Sequence, residues 1–189
     1  MGVIVVIIYV LSGGCGVGKR TIGKTLSERL GLFLFHNHLT ANIARGIYHD
    51  YGENDFRKYS RFVVKLRKIV IMEAFKSNSK GIVITHANHE RRGPNYALQL
   101  NSFCKNKGIC VNFINLSCDE SERCKRFTNK ERKTSDKSFD KKTFQKINRD
   151  WGIPTSLDPT ILPVLLDIDV TNLSSDQVVD EILKIIASS

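Results

Sequence analysis

Nine residues constrain this chain more than any others: Gly13-Gly14-Cys15-Gly16-Val17-Gly18-Lys19-Arg20-Thr21. They stand between an apolar run, Val3 to Leu11, and a helical pattern, Ile22 to Leu30. A strand that passes through a glycine-rich turn into a helix is the context of a phosphate-binding loop. Glycines let the backbone turn tightly and come close to an anion. Several N–H groups then point into one space at the positive end of the helix. Lys19 adds a mobile point charge suited to phosphate oxygens. The regular spacing is Gly, four residues, Gly-Lys, then Ser or Thr. Gly13, Gly18 and Lys19 keep it; Arg20 follows, and the hydroxyl arrives one residue later, at Thr21.

Val3–Leu11 is rich in Val and Ile without alternation, the mark of a strand buried on both faces of a parallel sheet. The first helix is expected from Lys19 to Leu30, closed by Gly31. Leu32–Phe35 reads as a second strand, followed by His36-Asn37-His38 and a helix from Leu39 to Tyr51. Asn54 or Asp55 is expected to cap a long helix, Phe56 to Lys76. Tyr59, Phe62, Val63, Leu66, Ile69, Val70 and Ala74 recur there at helical spacing as a core stripe. The other face carries Arg57, Lys58, Arg61, Lys65, Arg67 and Lys68, which are either solvated or aimed at an anionic acceptor.

Gly81–Thr85 is a third strand, His86–Pro94 a loop, Tyr96–Lys105 a helix and Ile109–Leu116 a fourth strand. A helix starting at Ser117 or Asp119 runs through Arg126; Asn129–Asp140 reads as a mobile basic loop, and Lys142–Asn148 as a short helix. Trp151–Pro163 is an irregular connection, Val164–Ile168 a fifth strand and Gln177–Ile186 a last helix, capped by Ser174 or Ser175. Five strands alternating with helices give a single α/β domain over residues 1–189, a three-layer, doubly wound, parallel five-stranded sheet. In such a sheet, ligand sits beyond the carboxyl ends of the strands. The glycine loop, His36–His38 and His86–His89 all follow strand ends and are expected to converge on one crevice.

The 189 residues suffice for one sizeable core. The N-terminal apolar run is too short to span a membrane and has no basic flank, so it reads as a strand and not a targeting signal. Val6 breaks the myristoylation pattern that Gly2 would open. No membrane contact is expected. Five cysteines, an odd number with no Cys-x-x-Cys, suggest thiols in a reducing compartment, hence a cytoplasmic protein. The formal net charge is +10, and the segment Arg123–Arg149 alone contributes +8. Such a patch suits either a site that holds several phosphates or nucleic acid.

Gly13, Gly16, Gly18, Lys19 and Thr21 match the form Gly-x-x-Gly-x-Gly-Lys-x-Thr. With the nearly full-length strand and helix pattern, the chain resembles the small P-loop kinases, which include adenylate, shikimate and gluconate kinases and chloramphenicol phosphotransferase. Leu116–Arg126 with Arg132 resembles their fourth-strand exit, helix and lid, and Asp167-Ile168-Asp169-Val170-Thr171 their last strand and turn. The resemblance implies an ATP-dependent kinase that needs Mg²⁺ and passes the γ-phosphoryl group to a small-molecule acceptor, as a monomer or homodimer. It implies nucleotide contacts along Gly13, Gly14, Cys15, Gly16, Val17, Gly18, Lys19, Arg20 and Thr21. It gives Arg126 the base-packing role, and gives Arg126 and Arg132 the role of lid arginines over the phosphates. It implies a lid at about 123–149 and an acceptor-binding helical region at about 36–77.

Many of these kinases carry an Asp after strand two. Here the chain reads His36-Asn37-His38, and a neutral histidine is a feasible general base near neutral pH. The bland reading makes both histidines hydrogen-bonding residues at a strand end. After strand three Glu90 is the nearest carboxylate, so Mg²⁺ would rest mainly on Thr21, phosphates and waters. A zinc site of His36, His38, His86 and His89 matches no standard ligand spacing. Two other functions stay open: a nucleotide binder without transfer, and a nucleic-acid kinase or binder that uses the basic lid.

Overall fold

The computed structural model describes residues 6–48, 53–77, 80–89, 94–129 and 140–188, with backbone alone at 53–57 and 94–95. Five parallel strands stand in the order β2-β3-β1-β4-β5. They are β1 (Ile7–Gly13), β2 (Phe33–Phe35), β3 (Gly81–Ala87), β4 (Cys110–Ser117) and β5 (Val164–Asp169). The helices are α1 (Lys19–Leu30), α2 (His38–Ile47), α3 (Glu53–Lys76), α4 (Pro94–Lys105), α5 (Glu120–Thr128), α6 (Lys141–Trp151) and α7 (Ser175–Ser188).

The apolar strands explain the layering. Side chains alternate across a strand, so a run without alternation feeds two cores. Ile8 and Val10 join Ile71 of α3 and Ala97 and Leu100 of α4 on one face. Tyr9 and Leu11 join Ile22 and Leu26 of α1 and Val178 and Ile182 of α7 on the other. The result is three layers with β1 at the centre.

Several boundaries move for identifiable reasons. β1 runs to Gly13, not Leu11, because Ser12 and Gly13 still pair with His86 and Ala87 on one side and Asn115 and Leu116 on the other. Residues before Val6 lie outside the described ones. α2 stops at Ile47, short of Tyr51, since Tyr48 leaves helical geometry. α3 already begins at Glu53, so neither Asn54 nor Asp55 caps it. β3 takes in His86 and Ala87, which shortens the expected loop. Asp140 caps α6 by accepting from the Thr143 N–H at 2.7 Å, and the helix extends to Trp151. Ser174 and Gln177 close a reciprocal cap at the start of α7.

The stripe along α3 also turns. Ile69 is 56% exposed, whereas Ile71 is buried. Arg67, assigned by its spacing to the cationic outer face, is buried instead. Its guanidinium lies 4.4 Å from the Tyr96 ring centroid, and its Nε donates to Thr40 Oγ1 at 3.4 Å. Among the described residues no helix is long and apolar enough to cross a membrane.

Candidate functional site

The glycine loop leaves β1 at the middle of the sheet and enters α1. Gly16 and Gly18 both hold positive φ, 84° and 98°, a backbone that side-chain-bearing residues avoid. Gly18 stands at the N-cap of α1, and its carbonyl accepts from Ile22 N–H at 3.0 Å. Val17 turns its side chain fully into the core beside Ile22, which anchors the loop from beneath. Lys19 Nζ donates to the carbonyls of Gly13 and Gly14, at 2.8 and 2.6 Å. The loop therefore has the tight backbone, the helix N-terminus and the cation that a phosphate needs.

A cavity of about 400 Å³ opens over this loop. Cys15, Gly16, Gly18, Lys19 and Arg20 form its floor; Asn37 and His38 enter from the end of β2, and Thr85 and Ala87 from the end of β3. Arg45 of α2 closes one side. Thr143, Ile147 and Trp151, four residues apart on one face of α6, close the other with Phe127. Among the described residues no Asp or Glu lines the cavity. The carboxyl ends of three adjacent parallel strands thus meet at one space, where a doubly wound sheet holds its ligands.

The sequence-derived residues are not all on that wall. His38 is; His36 is half-buried behind it, its ring centroid 6.1 Å from that of His38. His36 Nδ1 is buried without a hydrogen-bond partner among the described residues. Burial, and then the charge of Arg20, hold the His36 imidazole below its usual pKa, so it is neutral near neutral pH. Asn37 fixes this corner: its N–H donates to Thr85 Oγ1 at 3.0 Å and ties the exit of β2 to β3.

His86 and His89 do not join the crevice, which corrects the expectation that they would. His86 is buried against the Tyr96 ring at 4.9 Å. His89 is fully buried, with Nδ1 3.0 Å from the Gly152 carbonyl and its ring edge-on to Trp151. Together with Asn88 and Asn115, which bond the backbone of Thr155 and Leu157, it pins the proline-containing connection after α6. Among the described residues no three His, Cys, Asp or Glu side chains cluster as metal ligands. Thr21 is exposed in the first turn of α1 and does not line the cavity. Arg132 and Glu90 lie outside the described residues.

Arg126 lies beside the cavity. Its guanidinium donates to Glu122 Oε1, to the carbonyls of Val170 and Thr171, each at 2.9 Å, and to the Val17 carbonyl at 3.5 Å. It joins α5 to the glycine loop and to the turn after β5. The bond from Arg126 also holds the Glu122 carboxyl below its usual pKa.

Sequence reasoning missed Arg123, Asn37 as a clip, Arg45 and the α6 wall. Arg123 is 5% exposed, its NH1 donates to the Cys15 carbonyl at 3.3 Å, and its guanidinium carbon lies 5.5 Å from the Phe144 ring centroid. Among the described residues its Nε has no partner and its guanidinium meets no carboxylate. The available signal was its place one helical turn before Arg126. For Arg45, it was a cation on the helix that opens at His38.

No family model matches the sequence, and no curated protein matches it significantly. Solved structures do match over nearly the whole length. A gluconokinase from Sinorhizobium meliloti superposes with a TM-score of 0.61 at 15% identity, covering 97% of this chain and 92% of that one. A sugar kinase from Janibacter sp. HTCC2649 gives 0.62 at 12% identity, over 97% and 95%. A shikimate kinase from Acinetobacter baumannii, in complex with shikimate, gives 0.55 at 17% identity, over 97% and 94%. At these identities the likeness speaks to architecture: the chain has the α/β fold of the P-loop kinases, a parallel five-stranded sheet between layers of helices.

Proposed function

We propose that the protein is an ATP-dependent phosphotransferase that passes the γ-phosphoryl group to a small-molecule acceptor. One observation carries this reading. One cavity is lined both by Lys19 and the glycine loop and by Asn37, His38 and Arg45, so a phosphate donor and an acceptor would each have residues of their own within one space. The gluconokinase, sugar kinase and shikimate kinase of like fold support the reaction class by analogy.

Phosphoryl transfer asks mainly for positioning and charge neutralisation. The loop N–H groups and Lys19 would hold the phosphates. Of the glycine-loop sequence Thr21 carries the hydroxyl that would contribute to Mg²⁺, and because it stands off the cavity wall the ion would rest mainly on phosphates and waters, as suits a strongly hydrated ion. When bound, that ion would supply neutralisation of the phosphates' negative charge. Asn37 and His38 would orient the acceptor hydroxyl, and an imidazole, that of His38 or of His36, would take the proton. The apolar wall of Phe127, Ile147 and Trp151 would exclude water and limit hydrolysis.

A second reading, nucleotide binding without transfer, draws on the absence of any carboxylate among the described residues of the cavity wall. ADP release in the presence of an acceptor panel separates the two. The panel holds nucleoside monophosphates, shikimate, sugar acids, aminoglycoside-like and phenolic alcohols, and 5′-hydroxyl oligonucleotides, with Lys19→Ala as the blank. An acceptor that raises turnover well above the blank supports transfer. ATP bound with no acceptor effect supports the binder. A response to oligonucleotides that falls steeply with salt would assign the basic segment to nucleic acid.

A further inference from the structure

The middle of α3 carries a charge that the helix does not balance. From Phe56 to Met72 the sequence holds six Lys or Arg and no Asp or Glu. At 100° per residue, Lys58, Arg61, Lys65 and Lys68 fall within about 80° of one another, as one stripe. Arg67 points the other way and is buried. Like charges three and four residues apart repel along a helix. Further along, Lys76 has Glu73 beside it. Among the described residues Arg61, Lys65 and Lys68 meet no carboxylate. The stripe therefore lacks an anion that the fold does not provide.

The stripe borders a groove. A cavity of about 610 Å³ lies along α3, lined by these four cations and Phe62, with Gln99 of α4 and Tyr48, the residue after α2. It shares no lining residue with the cavity over the glycine loop. Among the described residues no Asp or Glu lines it, and α4 has none in its sequence. Two aromatic rings stand in the same wall. Tyr48 and Phe62, both half-buried, meet edge to face with ring centroids 6.0 Å apart. Lys68 Nζ lies 5.1 Å from the Phe103 ring centroid, which holds that cation against α4.

The lining selects among polyanions. The cations recur every three or four residues, a rise of about 5 Å along the helix, and so present a ladder to a chain with one charge per unit. Aromatic rings beside a positive groove are what unpaired bases stack on, and the plane of an arginine such as Arg61 serves the same purpose. An acidic peptide offers the charge but no base to stack. A lipid surface is broad and does not enter a groove. We infer that the α3 groove binds single-stranded nucleic acid, with Arg61, Lys65 and Lys68 on the phosphates and Tyr48 and Phe62 against a base. The inference is independent of the phosphotransferase reading, since the groove and the glycine loop have no lining residue in common.

The test is fluorescence anisotropy of the full chain with labelled oligo(U) and oligo(dT) of about twelve nucleotides, within the site sizes of single-strand binders. Kd is measured across a series of salt concentrations. Wild type is compared with the triple variant Arg61→Gln, Lys65→Gln, Lys68→Gln, and with Lys141→Gln, Lys142→Gln, Lys146→Gln in the other basic region. The expected result is saturable binding that the α3 variant weakens ten-fold or more and the α6 variant leaves nearly unchanged. The slope of log Kd on log salt should become shallower by about 2, since each phosphate contact on a single strand contributes about 0.7. Lys65→Gln alone should take about 0.7 from it. ATP affinity of the α3 variant should match wild type, and its melting temperature should match or exceed it, because removing like charges relieves repulsion. No oligonucleotide binding, or loss in the α6 variant alone, overturns the groove. Polyglutamate that competes as well as the unlabelled oligonucleotide assigns the stripe to acidic protein and overturns the inference. Sedimentation with phosphatidylserine vesicles without oligonucleotide binding assigns it to a membrane surface and overturns it equally.

Discussion

Gly16 stands against the main chain of Arg123: a β-carbon at Gly16 would collide with the Arg123 carbonyl oxygen and lie 2.9 Å from the carbonyl carbon. The residues are far apart in sequence, yet this contact seats the glycine loop on α5. Any side chain at Gly16 must push the loop off that helix, and φ of 84° adds strain of its own. Gly16→Ala should cost about 1–2 kcal/mol from the backbone alone. ATP affinity should fall about ten-fold or more, since each 1.4 kcal/mol is a factor of ten. Isothermal titration against wild type checks this, with circular dichroism to show a retained fold. Unchanged affinity would mean that the loop's seat on α5 is irrelevant to nucleotide.

Arg123 brings an uncompensated charge beneath that loop. Burying a cation without a counter-ion is costly, and a phosphate in the loop would repay it. Arg123→Met keeps the length and apolar packing but removes the charge. Stability should stay within about 1 kcal/mol of wild type, because relief of the buried charge offsets the lost bond to Cys15 and the contact with Phe144. ATP affinity should fall about ten-fold. Urea unfolding and nucleotide titration on one preparation test the pair of outcomes. Strong destabilisation with ATP binding intact would make Arg123 purely structural.

Arg126 joins three elements at once. Arg126→Ala should destabilise by about 2 kcal/mol, the scale of charged hydrogen bonds to partly buried carbonyls. Arg126→Lys should recover little of this, since an ammonium cannot reproduce the fork that reaches Val170 and Thr171 together. Full recovery by lysine in urea unfolding would show that charge, not geometry, matters there.

His36 makes a pH prediction with a definite sign. Its folded-state pKa lies below the ordinary value of about 6.5. Between the two values the unfolded chain binds a proton that the native protein does not, so stability rises with pH there and is lost as pH falls through the folded pKa. His36→Gln should flatten that part of the melting-temperature profile. Replacing His36 and His38 together should spare ATP binding and lower transfer, by about a hundred-fold if one is the general base. Transfer at the normal rate would remove both from the acceptor site.

The fold was legible because strand burial is written in runs such as Ile82-Val83-Ile84, whose alternate members feed two cores. The glycine loop was legible because its chemistry is local. The rest depends on partners distant in sequence. Spacing placed Arg67 with the outer cations of α3; it is buried because Tyr96, on another helix, supplies a ring for it. His86 and His89 followed a strand end as the loop does, but Tyr96 and Gly152 draw them away from the cavity. Arg123 counted only as one charge in a basic segment, since its contact with Cys15 spans 108 residues. Ile69 and Ile71 exchange places because a wheel fixes a helix's period, not the angle at which its neighbour covers it.

The most direct test of the central claim follows the phosphorus atom. Wild-type protein and Lys19→Ala are incubated with γ-labelled ATP, Mg²⁺ and the acceptor panel, and the products are separated. The account predicts label in an organic acceptor with wild type and none with Lys19→Ala. Label confined to ATP or inorganic phosphate for every acceptor, with ATP bound, would contradict phosphoryl transfer and leave a nucleotide-binding protein.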